Sequence, residues 1–294
     1  KKVFFGNSGA EANECAIKAA RKYAADKYGP ERHKIVTLIN SFHGRTIATL
    51  TATGQEEMHR DFNPLLPGFL YTPANDCEAL KALVAEHDDI AAIMFELVQG
   101  EGGVMPLERA FVDCMAELAA EKDILLVCDE VQTGNGRTGS LYAWQQYGFT
   151  PDIMSTAKGL GGGLPIGACL FGEKTENTLT PGTHGSTFGG SPAVCAGALS
   201  ILGRIDEALL AQVRAKSEYL FSAFEGRPGI EQVSGLGLMI GIRTAKPAAE
   251  VVAKCMEQGV LVLTAHGKVR LLPALNIPME LVKKAAEVII AACA

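Results

Sequence analysis

The sequence predicts an α/β fold, a mixed and mostly parallel sheet with helices on both faces, followed by a smaller α+β domain. Three observations carry this. Over the first two-thirds of the chain, short apolar runs alternate with amphipathic stretches, as in strands buried on both faces and joined by helices. The composition is 48% hydrophobic but only 6% aromatic, the Ala/Val/Leu/Gly-rich balance of such folds. After Gly226 the texture changes to shorter strands mixed with two helices. At 294 residues the chain is too long for one minimal core, so a large and a small domain are expected, at 1–205 and 206–294.

The elements follow in order. Apolar runs predict strands at 3–6, 34–39, 90–96, 124–129, 152–155 and 167–171. Between several of them, helical periodicity places helices at 10–28, 77–86 and 109–122. Pro192 initiates a helix over 191–204, and a further one covers 210–224. The C-terminal part reads as strands 237–242, 260–263 and 269–272 with helices 248–258 and 279–292.

Bulk properties narrow the function. The net charge is −6, and no basic run or stripe supports nucleic-acid binding. Apolar stretches are broken well before the length of a membrane span. No signal peptide is expected before the first strand. The chain opens directly on Val3-Phe4-Phe5 with no Met, so an N-terminal portion is expected to be missing. The eight cysteines form no CxxC pair and several lie in apolar runs, which reads as reduced core cysteines of a cytoplasmic protein. The six histidines lack HxxxH or HExxH spacing, so no metal is expected.

The chemistry centres on Lys158, in Ser155-Thr156-Ala157-Lys158-Gly159, and on Asp129, which ends the run Ile124-Leu125-Leu126-Val127-Cys128. A lysine amine can form a Schiff base with an aldehyde cofactor, and a strand-end carboxylate can hold a pyridine nitrogen protonated. Together they suit pyridoxal phosphate. Singly, each has an ordinary reading as a surface charge or a turn former. Gln132 can hydrogen-bond the ring hydroxyl. Gly6-Asn7-Ser8-Gly9-Ala10 joins a strand to a helix, which suits either a phosphate seat or plain helix capping. In Phe42-His43-Gly44-Arg45, Phe42 can stack on a heteroaromatic ring and Arg45 can fork onto a substrate carboxylate; a core Phe and a surface Arg are the alternatives. Glu96 and Glu101 stand five apart in a glycine-rich loop, read as counter-charges for arginines rather than an acid/base pair. Ser186-Thr187 among glycines is again compatible with phosphate. Arg270, in a short strand, can reach a substrate carboxylate. Gly134-Asn135-Gly136-Arg137-Thr138-Gly139 matches GxGxxG and would suggest an NAD oxidoreductase, but no long apolar helix opens at Gly139 and a carboxylate already ends the strand. A third possibility, a silent scaffold, would not require Lys158, Asp129 and Gln132 together.

In this order, Phe5 to Glu14, Phe42 to Thr46, Cys128 to Gly134, Lys158 and Ser186-Thr187-Phe188 closely resemble the class III aminotransferases, over nearly the whole chain. The resemblance implies the type I pyridoxal-phosphate fold, with a large seven-stranded mixed-sheet domain and a small domain. It implies Lys158 as the Schiff-base lysine, Asp129 on the pyridine nitrogen, Gln132 by the ring hydroxyl and Phe42 on the ring face. Gly9 and Ala10 would hold the phosphate, and Thr187 would reach the phosphate of a neighbouring subunit in a homodimer with shared active sites. Arg45 and Ser186 would contact the amino donor, Arg270 the α-carboxylate of glutamate, and Glu101 would screen Arg270 when it is idle. The implied reaction is transamination between N-acetylornithine and 2-oxoglutarate in arginine biosynthesis, with ornithine, succinylornithine or 4-aminobutyrate as alternative donors. Leu97 and Ser191 depart from the Pro and Asn common in the family, at positions away from the cofactor.

Overall fold

Strands buried along their whole length belong in the middle of a sheet covered on both sides. Ile153–Thr156, Leu125–Asp129 and Ile90–Phe95, with every residue buried, take the third, fourth and fifth places of a seven-stranded sheet. A computed structural model describes residues 1–294. In sheet order the strands are Lys2–Gly6, Gly167–Phe171, Ile153–Thr156, Leu125–Asp129, Ile90–Phe95, Lys34–Leu38 and Phe69–Thr72. Every pairing is parallel except the two made by Gly167–Phe171. Six of these strands were expected. The seventh, Phe69–Thr72, is a half-buried edge strand that was not among those expected from the sequence.

Helix Gly9–Tyr28 begins where Ser8 Oγ accepts the Glu11 N–H at 3.2 Å. Its inward face is built from Ala12, Cys15, Ala16, Ala19 and Ala20, all at most 1% exposed. Small side chains there let the helix lie close against the sheet. Helices Cys77–Glu86 and Arg109–Lys122 lie side by side and are joined by a Cys77–Cys114 disulfide, with Cα atoms 6.3 Å apart. This corrects the expectation that all eight cysteines are reduced. The partners are 37 residues apart, so only the packing of the two helices reveals the pair. The other six cysteines are free, five of them buried.

The chain divides into two compact units. The first comprises 1–97, 107–132 and 144–203, and holds the seven-stranded sheet. The second comprises 98–106, 133–143 and 204–294, so two short segments group with the C-terminal residues rather than with their sequence neighbours. Its antiparallel sheet runs Ile230–Leu236, Met239–Thr244, Lys268–Leu271, Leu263–Ala265. Helices Glu207–Phe224, Ala248–Glu257 and Met279–Cys293 cover a core that includes Val213, Phe224, Ile240, Val251, Val269 and Ile289.

Two expectations shift in the second unit. Residues 260–262 are irregular, and the strand begins only at Leu263. The strand expected from 237 begins at Met239, because Gly237 (φ +60°) and Leu238 make the turn of a hairpin whose first arm, Ile230–Leu236, is only half-buried. Gly237 can hold no side chain, since a Cβ would lie 2.4 Å from Thr138 Cα.

Candidate active site

Parallel strands deliver their carboxyl ends to one edge of a sheet, where ligands of open α/β sheets bind. Asp129 is the last residue of its strand, Glu96 follows the strand next to it, and Phe42 and His43 lie just beyond Lys34–Leu38. Lys158 follows Ile153–Thr156 on the other side of Asp129. Four adjacent strands thus bring the principal candidates to one edge.

Asp129 is 3% exposed, and both of its carboxylate oxygens accept hydrogen bonds. Oδ2 accepts from Asn13 Nδ2 and from His43 Nδ1, each at 2.8 Å, and Oδ1 accepts the Val131 N–H at 3.0 Å. A carboxylate only accepts, so Nδ1 of His43 donates to it, while Nε2 is buried without a partner. Asn13 also donates to the His43 carbonyl at 2.7 Å, which ties the helix to the loop after the second strand. Glu96, 4% exposed, accepts the Phe42 N–H at 2.9 Å. Burial raises its pKa to about 7, against the pull of His43; the Asp129 charge adds to the rise, and the Phe42 N–H and Lys158 oppose it. No arginine faces Glu96, so its expected role as an arginine counter-charge is corrected. Asn13 and His43 were not singled out as supports of Asp129. The one available signal was Asn13, a polar residue on the Ala-rich stripe of its helix.

Lys158 opens a 3-10 turn, Lys158–Gly161, with φ at +45°, a region that costs a non-glycine residue energy and is found mainly where function requires it. Its side chain is exposed. Gln132 follows three residues after Asp129, and its buried Oε1 has no partner. Phe42 is half-buried, with the exposed Arg45 guanidinium 5.4 Å from its ring centre. Gly9 and Ala10 form the first turn of their helix, where backbone N–H groups have no acceptor within the helix. This turn sits hard against the sheet, since a Cβ on Gly167 would lie 2.0 Å from the Ser8 carbonyl oxygen. Ser186 Oγ accepts from Asn7 Nδ2 and from the Gly189 N–H, both at 3.1 Å. Ser186 and the exposed Thr187 line a cavity of about 310 Å³ together with Asn7 and Glu11.

In the second unit, Arg270 is 8% exposed and its Nη1 lies 2.8 Å from Glu101 Oε1. The contact is an ion pair rather than an aligned hydrogen bond, since Nη1 and Nε find no hydrogen-bond acceptor. The glycine loop 134–139 forms successive turns and opens no helix. Its Arg137 turns inward onto the carbonyls of Leu238 and Pro273, and burial lowers its pKa to about 10. That loop is a structural clamp and not a dinucleotide site.

The family model Aminotransferase class-III matches residues 1–293. The chain belongs to the class-III aminotransferases. It is 50% identical over 291 residues to the acetylornithine aminotransferase of Haemophilus ducreyi, covering 98% of this chain and 74% of that protein. The structure matches N-acetylornithine aminotransferase from Stenotrophomonas maltophilia with a TM-score of 0.84 at 36% identity, over 99% of this chain and 74% of that one. Ornithine aminotransferase from Toxoplasma gondii, a structure reporting partial occupancy of PLP at the active site, matches at 0.93 and 33% identity, over 100% and 72%. The α/β fold of this aminotransferase is therefore that of structures in its own family. No helix is long and apolar enough to cross a membrane.

Proposed function

We propose that this aminotransferase uses pyridoxal phosphate to move the amino group of N-acetylornithine onto 2-oxoglutarate, giving N-acetylglutamate semialdehyde and glutamate in arginine biosynthesis. The observation that carries the cofactor is the buried Asp129 carboxylate, held by Asn13, His43 and the Val131 N–H. The donor reading rests on identity of 43–50% to proteins named acetylornithine aminotransferase.

The residues suit the group. Gln132 Oε1 is a buried acceptor awaiting a donor such as a ring hydroxyl. The Gly9 and Ala10 N–H groups stand at a helix N-terminus, where an anion is favoured. When bound, pyridoxal phosphate supplies an aldehyde for the amine and a pyridinium ring that takes up carbanion electrons. Asp129 would hold the ring nitrogen protonated, and His43 and Asn13 keep its carboxylate from turning away. Phe42 would pack on the ring face. Lys158 would hold the aldehyde through its amine, and that amine, once free, would be the base that takes up the proton from the substrate carbon. Arg45 takes the donor carboxylate beside Ser186, and Arg270 takes the α-carboxylate of the oxo acid once Glu101 releases it.

A homodimer would complete the site, with Thr187 reaching the partner's phosphate. In support, the segment after Thr187 is apolar and uncovered: Phe188 is 75% and Leu199 72% exposed, and helix Pro192–Leu202 buries only Ala198.

Glutamate production from 2-oxoglutarate tests this, with N-acetylornithine, ornithine, succinylornithine and 4-aminobutyrate supplied side by side. N-acetylornithine is expected to give the highest kcat/KM, and Lys158→Ala no turnover. Wild-type turnover in that variant would sink the mechanism, and preference for another donor would replace the substrate assignment.

A further inference from the structure

The hairpin that carries Glu101 pairs Val98 with Pro106 and Gln99 with Met105, leaving 100–104 as its tip. Val104 stands at φ +52°, a conformation that a β-branched residue adopts only when its surroundings impose it. Its side chain is fully buried against Val98 and Met239. It also lies over Gly241, where a Cβ would come 2.9 Å from Val104 Cβ. Packing alone leaves the Val104 carbonyl to be satisfied, and Ser234 Oγ donates to it at 2.8 Å. That hydroxyl has one proton, so its lone pairs are free to accept, and Lys268 Nζ donates to it at 2.9 Å. The same ammonium lies 3.0 Å from Met105 Sδ, the residue after Val104.

Lys268 is itself unusual. It is 8% exposed and makes no ion pair, and burial lowers its pKa. Lys268 and Arg270 are two apart on one strand and so share a face of it. One strand therefore sends two cations to one hairpin: Arg270 to Glu101 at the tip, and Lys268 to the Met105 side of its base.

We propose that Lys268 and Ser234 are positioning residues that fix the Val104 turn, and thereby set how firmly Glu101 holds Arg270. This rests on the reading that Arg270 receives the oxo-acid carboxylate while Glu101 masks it for the amino donor. A loosened hairpin leaves Arg270 more available. The KM for 2-oxoglutarate then falls and that for N-acetylornithine rises.

The test uses the cofactor-loaded protein with Ser234→Ala and Lys268→Met, the latter removing a buried charge without leaving a hole. Hydrogen exchange of the 100–105 amides is expected to quicken in both. The ratio of the KM for N-acetylornithine to that for 2-oxoglutarate is expected to rise about fivefold, the scale of one lost hydrogen bond. Ser234→Thr, which keeps the hydroxyl, should restore both readouts. Arg270→Met separates the two layers of the argument. If it leaves the KM for 2-oxoglutarate unchanged, the assignment of Arg270 is wrong whatever the hairpin does. If it raises that KM while Ser234→Ala and Lys268→Met leave the ratio unmoved, Lys268 and Ser234 do not set the balance and the proposal is overturned.

Discussion

Asp129 owes its usefulness to its neighbours more than to its own type. Two side-chain donors converge on one oxygen, each charge-assisted, so removing either leaves a buried anion short of a partner. Asn13→Ala is expected to weaken pyridoxal phosphate binding about tenfold, as a lost hydrogen bond to a charged group does. Titration of the apoprotein by absorbance measures it. Glu96 supplies a pH signature. Its carboxyl holds a proton to about pH 7 when folded, above its ordinary 4.5. Between those values the unfolded chain has lost a proton that the folded chain keeps, so stability falls as pH rises through this window and levels off above it. Glu96→Gln is expected to remove that slope, read as urea midpoints between pH 5 and 7. An unchanged slope would assign the titration elsewhere.

Helices Cys77–Glu86 and Arg109–Lys122 share one covalent link, closing a 37-residue loop. On loop-entropy grounds such a link is worth about 3–4 kcal/mol. Reduction, or Cys77→Ser, is expected to lower the unfolding midpoint of the first unit, measured with and without reductant. What the sequence exposed and what it hid divides on the same physical line. Strands buried on both faces announce themselves as apolar runs, and helix Cys77–Glu86 shows itself through its period. Ile230–Leu236 lacks such a run, being only half-buried, and Phe69–Thr72 offers only the three-residue run Phe69-Leu70-Tyr71 at the sheet edge. Lys158 and Asp129 stood out because the proposed chemistry needs those residue types at strand ends. Asn13, His43 and Cys77–Cys114 were not, since each depends on a partner at least 37 positions away.

For the molecule as a whole, the exposed apolar surface around helix Pro192–Leu202 is the feature that a lone chain explains least. Leu199→Glu would place a charge where a second copy is proposed to pack. It is expected to shift sedimentation from dimer to monomer and to take activity with it. A monomeric wild type would remove the shared-site reading. A different consequence follows from the way the chain is partitioned. It passes from one unit to the other after 97, 106, 132, 143 and 203. A gene fragment cut at residue 204 would therefore yield the helices and sheet of the second unit without two of its pieces. Arg270 would be left buried with no anion beside it, because Glu101 lies 169 positions earlier. Neither half is one continuous stretch of chain, so no single cut separates the two units intact.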